Sequence, residues 1–388
     1  MSDVCPIASV EALVLRVPRE GEEDLDGSNE TVVVQINDEE GRVGIGEADA
    51  PALAVRELVL MDDVHGWSRG IGGLLTGRDP VEIGALHDQL YAGTIYHGRR
   101  GLGIHALSAV DVALHDLAGK QLGRPVYQLL GGARRDAIAP YATVYLGLAG
   151  DRTLAQLVEA LLARCDEALR LGFQAVKVEL VFEHLRDRDL VECIRECRRA
   201  LGPDATLMAD FGYRWRDWRD VLWVLSRVED CDVYFAEATL QHDDLDGHRR
   251  LAERVETRVA GAELAATVHE CREWLERARV DVLQPDINRC GGLTEVRRIA
   301  DLALLHGALV IPHCWKTGIT AAAARHYQAA TANAPWIEAF HPALFSSPLR
   351  EELVTPEPAI VDGRIALPDA PGLGIELVDE AVERYRVV

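Results

Sequence analysis

Polar residues recur at near-constant spacing through the second half of the chain: Lys177 with Glu179, then Asp210, Glu237, Glu263, Asp286, His313 and Glu338. Counted from Lys177, the steps are 33, 27, 26, 23, 27 and 25 residues. Each is close to the ~30 residues of one β/α unit. All of these groups are therefore expected at the ends of successive parallel strands, on one rim of a barrel. Asp210, Glu237 and Glu263 belong to three consecutive strands. Three carboxylates converging on one point repel one another unless a cation sits among them, and oxygen-only ligands select a hard ion such as Mg²⁺. Taken singly, each acid reads as a helix cap or a solvated loop residue; three in register read as a metal site.

Asp286 follows the strand-like LQP and His313 follows IP. A histidine beside a carboxylate is a general base with its orienter. Lys177 and Glu179 are two apart on a strand, so both point to one side of it. With Val176, Val178 and Leu180 on the packed face, that side is the barrel mouth; a plain buried ion pair between the two is the alternative. Glu338 closes the ring and reaches a bound anion only if protonated or bridged by a donor. Cys314, next to His313, reads as a loop thiol rather than a nucleophile. A metal that holds a substrate carboxylate, with a base on one face, is equipment for removing the proton α to that carboxylate. The developing charge spreads onto two clamped oxygens, which lowers the barrier.

The elements that must position these groups are legible as alternating short apolar runs and amphipathic helices from residue 137 onward. Strands are expected at IAPYATVYL, FQAVKVEL, ATLMAD, VYFAE, RVAGAE, VDVLQP, ALVIP and PWIEA, with seven helices between them. That alternation is the pattern of an α/β parallel barrel closed on itself. The first 50 residues read instead as antiparallel β, with a hairpin turn at Asp38-Glu39-Glu40-Gly41. The helical run GIHALSAVDVALHDLAGKQLG follows and is stopped by Gly123 and Pro125. The polar stretch GEEDLDGSNE between the first two strands is expected to be a mobile loop. The domains are expected at 1–130 (an α+β cap), 131–345 (the barrel) and 346–388. The last contains a hairpin about Asp362-Gly363 and is expected to return to the first domain.

Composition excludes several classes. A formal charge of −22 argues against nucleic acid or an anionic membrane as partner. No apolar run approaches the ~20 residues that span a bilayer, and the N-terminus lacks a basic region followed by a cleavable apolar segment, so a cytoplasmic location is expected. The 8 Cys are scattered without a CxxC pair, which indicates neither a disulfide framework nor a zinc site. Cys193 and Cys197 read as reduced thiols packed on one helix face.

Taken together, the chain resembles the enolase superfamily, mandelate racemase/muconate lactonizing enzyme subgroup, over essentially its whole length. The resemblance rests on VKVEL, MADFG, FAEATL, AGAEL, LQPDINRCGG, IPHCWKTG and WIEAF, with LSAVDVALHDLAGK and DAPGLGIEL as further segments. It implies a (β/α)7β TIM-like barrel with an α+β capping domain and Mg²⁺ at Asp210, Glu237 and Glu263. It also implies a His313–Asp286 acid/base dyad, Glu338 near the substrate carboxylate, and a homo-oligomer. Sugar-acid dehydratases and galactarolactone cycloisomerase look most similar. Three departures stand out. Lys-x-Lys has become Lys177-Val178-Glu179, so the second lysine, usually the opposing base, is absent. Asp-x-Asn has become Asp210-Phe211-Gly212, and Glu-Glu-Pro has become Ala236-Glu237-Ala238.

The resulting expectation is a Mg²⁺-dependent lyase acting on a small-molecule carboxylate, a hydroxylated sugar acid. His313 is its principal base or the acid that expels the β-hydroxyl, Lys177 stabilises the anion or aids proton transfer, and Glu179 and Trp315 face substrate. An isomerase, either a cycloisomerase or an epimerase with Glu179 as second base, is the first alternative. A substrate amine paired with Glu179 and a catalytically degenerate ligand-binding barrel are the others. The segment Glu47–Pro51, Trp315 and Lys316 are expected to close over the site.

Overall fold

The computed structural model describes residues 5–18, 27–147 and 149–388. Residues 21–26, most of the expected mobile loop, lie outside the described residues. Three strands, β1 (Ile7–Arg16), β2 (Glu30–Asp38) and β3 (Val43–Ala48), form an antiparallel sheet in sequence order. The β2–β3 turn is tight because Gly41 takes φ +83° and the Asp38 carboxylate accepts the Glu40 and Arg42 N–H groups. One face of the sheet is pressed on the helix Leu102–Leu122. Gly44 and Gly46 make this possible, since a Cβ there would stand 2.2 Å from the Ala113 carbonyl and 2.0 Å from that of Ala109. The helix ends at Gly123, φ +61°, a left-handed conformation that costs glycine little.

Eight parallel strands follow: β4 (Pro140–Val144), β5 (Ala175–Glu179), β6 (Thr206–Asp210), β7 (Val233–Glu237), β8 (Arg258–Gly261), β9 (Val282–Leu283), β10 (Leu309–Val310) and β11 (Ile337–Ala339). They pair in the order β10-β9-β8-β7-β6-β5-β4-β11. β10 and β11 stand at the two ends of this order; Val310 N–H bonds instead to the carbonyl of Asn333, four residues before β11, at 2.9 Å. Amphipathic helices alternate with the strands as expected, the longest being Leu154–Arg170, Asp187–Leu201, Gly292–Leu305 and Gly318–Ala330.

Strand alternation then divides the barrel into two apolar compartments. Val176, Val178, Leu207, Ala209 and Val310 point outward into the strand–helix shell. Tyr141, Ala175, Met208, Phe235, Ala260, Val282 and Ile311 fill the interior as a separate plug. Two residues beyond the plug members come Thr143, Lys177, Asp210, Glu237, Gln284 and His313. The polar ring is thus made of the next inward-pointing residues of the same strands, above an apolar floor.

The C-terminal segment is shared between the two parts of the molecule. Its hairpin turns at Asp362 (φ +50°) and Gly363 (φ +71°), but Ile365–Ala366 pairs with Ala137–Ile138 at the start of the barrel. Only the tail returns to the first sheet, through Val387 N–H to the Val14 carbonyl at 2.8 Å. The segment also docks on the cap helix and its end, where Leu373 N–H donates to Asp116 Oδ1 at 2.8 Å and Gly372 exchanges backbone bonds with Arg124 and Val126, so it reaches the cap as expected and the barrel as well. Among the described residues no helix is long and apolar enough to cross a membrane.

Candidate active site

Glu179, Asp210 and Glu237 stand on one rung of the sheet, paired across β5–β6 and β6–β7. Lys177, one interior layer lower, reaches up among them. Its Nζ lies 2.8 Å from Glu237 Oε2, 2.8 Å from Glu338 Oε1 and 3.5 Å from Asp210 Oδ2, and it sits over the Tyr141 ring. It is 1% exposed. Burial acts against its charge, but Glu237 and Glu338 prevail and hold its pKa well above the ordinary lysine value. The alternative of a plain Lys177–Glu179 pair is therefore replaced by a lysine with three other carboxylates. Glu179 has no ion pair with any described residue, and burial together with Asp210 pushes its carboxyl well up, towards the protonated form.

Glu338 is held ionised. It accepts from Thr143 Oγ1 at 2.5 Å and from the Cys314 N–H at 2.7 Å, besides Lys177. Although burial opposes ionisation, Lys177 and His313 hold its pKa well below the usual range. Cys314 itself is buried and its thiol is pushed far up by burial and Glu338, which leaves it no nucleophilic role.

His313 Nδ1 lies 2.6 Å from Asp286 Oδ2. The other Asp286 oxygen accepts the Asn288 N–H at 2.7 Å, so the carboxylate is held from both sides and fixes the ring, leaving Nε2 as the nitrogen for reaction. Burial alone would lower the imidazole pKa. Glu263, Asp286 and Glu338 overcome it and raise it to about 10.

Of the three expected metal ligands, Asp210 and Glu237 are register partners, while Glu263 lies two residues beyond β8. Ala262, at φ +81°, turns the chain between them, and Glu263 lines the same cavity as Asp210. Among the described residues no three such side chains are already gathered at metal-holding distance; the Lys177 ammonium takes the position between Asp210, Glu237 and Glu338. The donor set nevertheless fits a hard dication. It is all oxygen, Glu237 Oε1 is buried with no hydrogen-bond partner, and burial with the neighbouring acids raises Glu237 to about 8 and moves Asp210 upward too. A further positive charge beside these groups would relieve that strain.

The cavity, about 220 Å³, is lined by Lys177, Glu179, Asp210, Glu263, His313 and Glu338, with Trp315, Tyr145 and Tyr213 on its walls. Trp315 stacks on Phe340 at 4.0 Å. Lys316 does not line the cavity but ties the cap to the barrel. Its Nζ donates to the Gly27 carbonyl (2.6 Å) and Asp49 Oδ1 (2.8 Å), and Arg289 also pairs with Asp49.

Of two further residues, Glu47 was expected only within a segment closing over the site, and Tyr213 escaped the sequence reading. Glu47 is fully buried and accepts from Thr31 Oγ1, Thr317 Oγ1 and Thr320 N–H and Oγ1, locking the cap to the helix after His313. Its signal was a lone acid at the end of an apolar strand. Tyr213 is the other, and its signal was its place three residues after Asp210.

Residues 24–131 match the mandelate racemase / muconate lactonizing enzyme N-terminal domain, and residues 160–381 match the enolase C-terminal domain-like family. The chain is 31% identical to a D-galactarolactone cycloisomerase of Agrobacterium fabrum, over 92% of this chain and 91% of that one. It is 32% identical to an arabinonate dehydratase of Saccharolobus solfataricus over the same shares. Among solved structures, a racemase candidate shares 43% identity over 99% of each chain with a TM-score of 0.94. A racemase from Streptomyces coelicolor with bound magnesium shares 25% over 98% of this chain and 100% of that one, with a TM-score of 0.83.

Proposed function

The chain belongs to the mandelate racemase / muconate lactonizing enzyme branch of the enolase superfamily, and from that premise we propose that it dehydrates a sugar acid with the help of Mg²⁺. The observation that carries this reading is the one-sidedness of the site. One imidazole lines the cavity, fixed by Asp286 at 2.6 Å. The lysine on the other side is held by Glu237 and Glu338, with a carboxyl in place of a second amine. A racemase needs a base on each face; an elimination is served by one.

Mg²⁺ held by Asp210, Glu237 and Glu263 would draw charge from the substrate carboxylate and so acidify its α-hydrogen. The magnesium-bound relative and the unpaired Glu237 oxygen support that assignment. His313 Nε2 takes the α-proton, while Asp286 holds the proton on Nδ1 and steadies the imidazolium. The electron pair enters the carboxylate as an enediolate, which Lys177 stabilises from below. The pair then returns to form the C2–C3 bond as the β C–O bond breaks. The leaving hydroxide takes a proton from the His313 imidazolium, and the enol product becomes a 2-keto-3-deoxy acid.

A cycloisomerase is the second reading, favoured by Glu179: a carboxyl that lines the cavity, and whose pKa burial and Asp210 push up, could return a proton from another direction. Incubating the enzyme and Mg²⁺ with a panel of acid sugars and their lactones, followed by mass spectrometry, separates the two. A product lighter by one water supports the dehydratase; a product of unchanged mass with a new ring or linear form supports the cycloisomerase and overturns the first.

A further inference from the structure

We propose that Tyr213 determines substrate specificity: its phenol hydrogen-bonds a substrate hydroxyl on the wall of the cavity facing His313. The inference rests on the sugar-acid reading above and extends it to a residue outside the dyad and the metal ligands. Tyr213 follows β6 and His313 follows β10, four strands apart in the eight-strand order. The two side chains therefore enter the cavity from opposed sides, and both line it.

The local backbone explains how the ring arrives there. Gly212 and Tyr213 both take left-handed conformations, φ +53° and +61°, and a bulky residue at positive φ is an outlier that neighbours must enforce. Here they do so with three bonds: Gly212 N–H to Asp210 Oδ1 at 3.0 Å, Tyr213 N–H to the Ala238 carbonyl at 2.5 Å, and the Gln241 amide to the Tyr213 carbonyl. Position 212 has no room for a side chain, because a Cβ would stand 2.4 Å from Val181 Cγ1. The Tyr213 hydroxyl is buried with no hydrogen-bond partner, beside but not properly bonded to Glu263, whose charge adds to burial in raising its pKa. A buried donor without a partner costs free energy until a ligand satisfies it.

Glu179 lines the same cavity and has no ion pair with a described residue. Together the two groups suit a polyhydroxylated acid, with Tyr213 reading a hydroxyl and Glu179 available beside it. Apolar carboxylates would leave the Tyr213 hydroxyl unpaired and are disfavoured.

The test is Tyr213→Phe in the full-length enzyme. KM and kcat are measured for the best hydroxylated acid from the panel and for its analogues deoxygenated at one position each, with Mg²⁺ affinity followed by calorimetry. The expected result is a KM raised on the order of tenfold or more for the hydroxylated acid. For one deoxy analogue KM stays nearly unchanged, and Mg²⁺ affinity stays within about twofold of the parent. Equal effects on all analogues, or no effect, overturn the proposal. So does weakened Mg²⁺ binding with an unaltered substrate pattern, which would make Tyr213 an orienter of Glu263. A parent enzyme that neither binds nor converts any hydroxylated acid overturns both this proposal and the sugar-acid reading.

Discussion

His313 Nδ1 stands 2.6 Å from Asp286 Oδ2, and these two atoms come from strands that are neighbours in the sheet but 27 residues apart in sequence. The short bond fixes the tautomer with Nε2 free to accept a proton. Asp286→Asn keeps the shape but offers either a carbonyl or an amide to Nδ1. The rate should fall by about 10²–10⁴-fold with Mg²⁺ affinity unchanged, as for other histidines deprived of their carboxylate. His313→Asn should abolish exchange of the substrate α-hydrogen in D₂O, read by NMR. Exchange that survives this substitution removes His313 from its role.

The same histidine should report on the metal. Its pKa of about 10 arises although burial opposes it, because Glu263, Asp286 and Glu338 favour the imidazolium. At neutral pH the metal-free protein therefore holds His313 protonated, a poor base. A dication placed at Glu263 cancels the largest of these favourable fields, so the pKa should move down towards the range in which imidazole accepts protons. ¹⁵N NMR titration of His313 with and without Mg²⁺ checks the direction. An identical titration in saturating Mg²⁺ argues against Glu263 as a ligand. Calorimetry adds the complementary result: Glu237→Gln should abolish or greatly weaken Mg²⁺ binding, and a parent with no binding would favour a non-catalytic barrel.

The strand-end series was readable because one β/α unit has a nearly fixed length, and the interior layer then follows from alternation of side chains. Lys177 shows where that reasoning stops. Spacing places it on the same side as Glu179, but the reach of a four-carbon side chain into a ring of acids decides its partners, and these lie on β7 and β11. The buried acceptor role of Glu47 was hidden for another reason. Its acceptor work joins residues about 270 positions away, and no local pattern marks it. The double glycine of LQPDINRCGG and the Gly372 of DAPGLGIEL were seen as resemblance only. The structure gives them a packing reason, since a Cβ at Gly292 or Gly372 would run into Asp111 or Asp116 on the long cap helix.

His326 provides a stability prediction away from the chemistry. Its Nδ1 accepts the Tyr127 N–H at 3.1 Å, so Nε2 carries the proton and donates to the Leu373 carbonyl, also at 3.1 Å. Burial, chiefly, holds its pKa down to about 3. Between the unfolded value near ~6.5 and that depressed folded value, the unfolded chain binds a proton that the folded chain refuses. This contribution to stability is complete above pH ~6.5 and is lost as the pH falls towards about 3. The slope reaches at most about 1.4 kcal/mol per pH unit. Denaturant unfolding from pH 7 to 4 should show a shallower loss in His326→Gln than in the parent. Parallel curves reject the assignment.

Gly292 tests whether the seam between cap and barrel is as tight as its geometry implies. The residue takes φ +82°, where a side chain is strained, and its Cβ would stand 2.4 Å from Asp111 Oδ2. Asp111 cannot give way cheaply, because it accepts the Thr294 N–H at 2.9 Å and Thr294 Oγ1 at 2.6 Å. It lies beside His115, which helps hold it ionised in a fully buried place against the desolvation that opposes this. Gly292→Ala should therefore destabilise by about 2–4 kcal/mol, combining backbone strain with at least one weakened buried hydrogen bond. Gly84→Ala supplies the contrast: a Cβ there meets nothing within 4 Å, and the residue lies in the helix Ile83–Gly93, so the change should be neutral or slightly stabilising. Thermal unfolding of the two variants should differ by several degrees, the first falling and the second holding. Equal midpoints would mean that the cap helix can shift away from the double glycine, and the seam would then be a sliding contact rather than a fixed one.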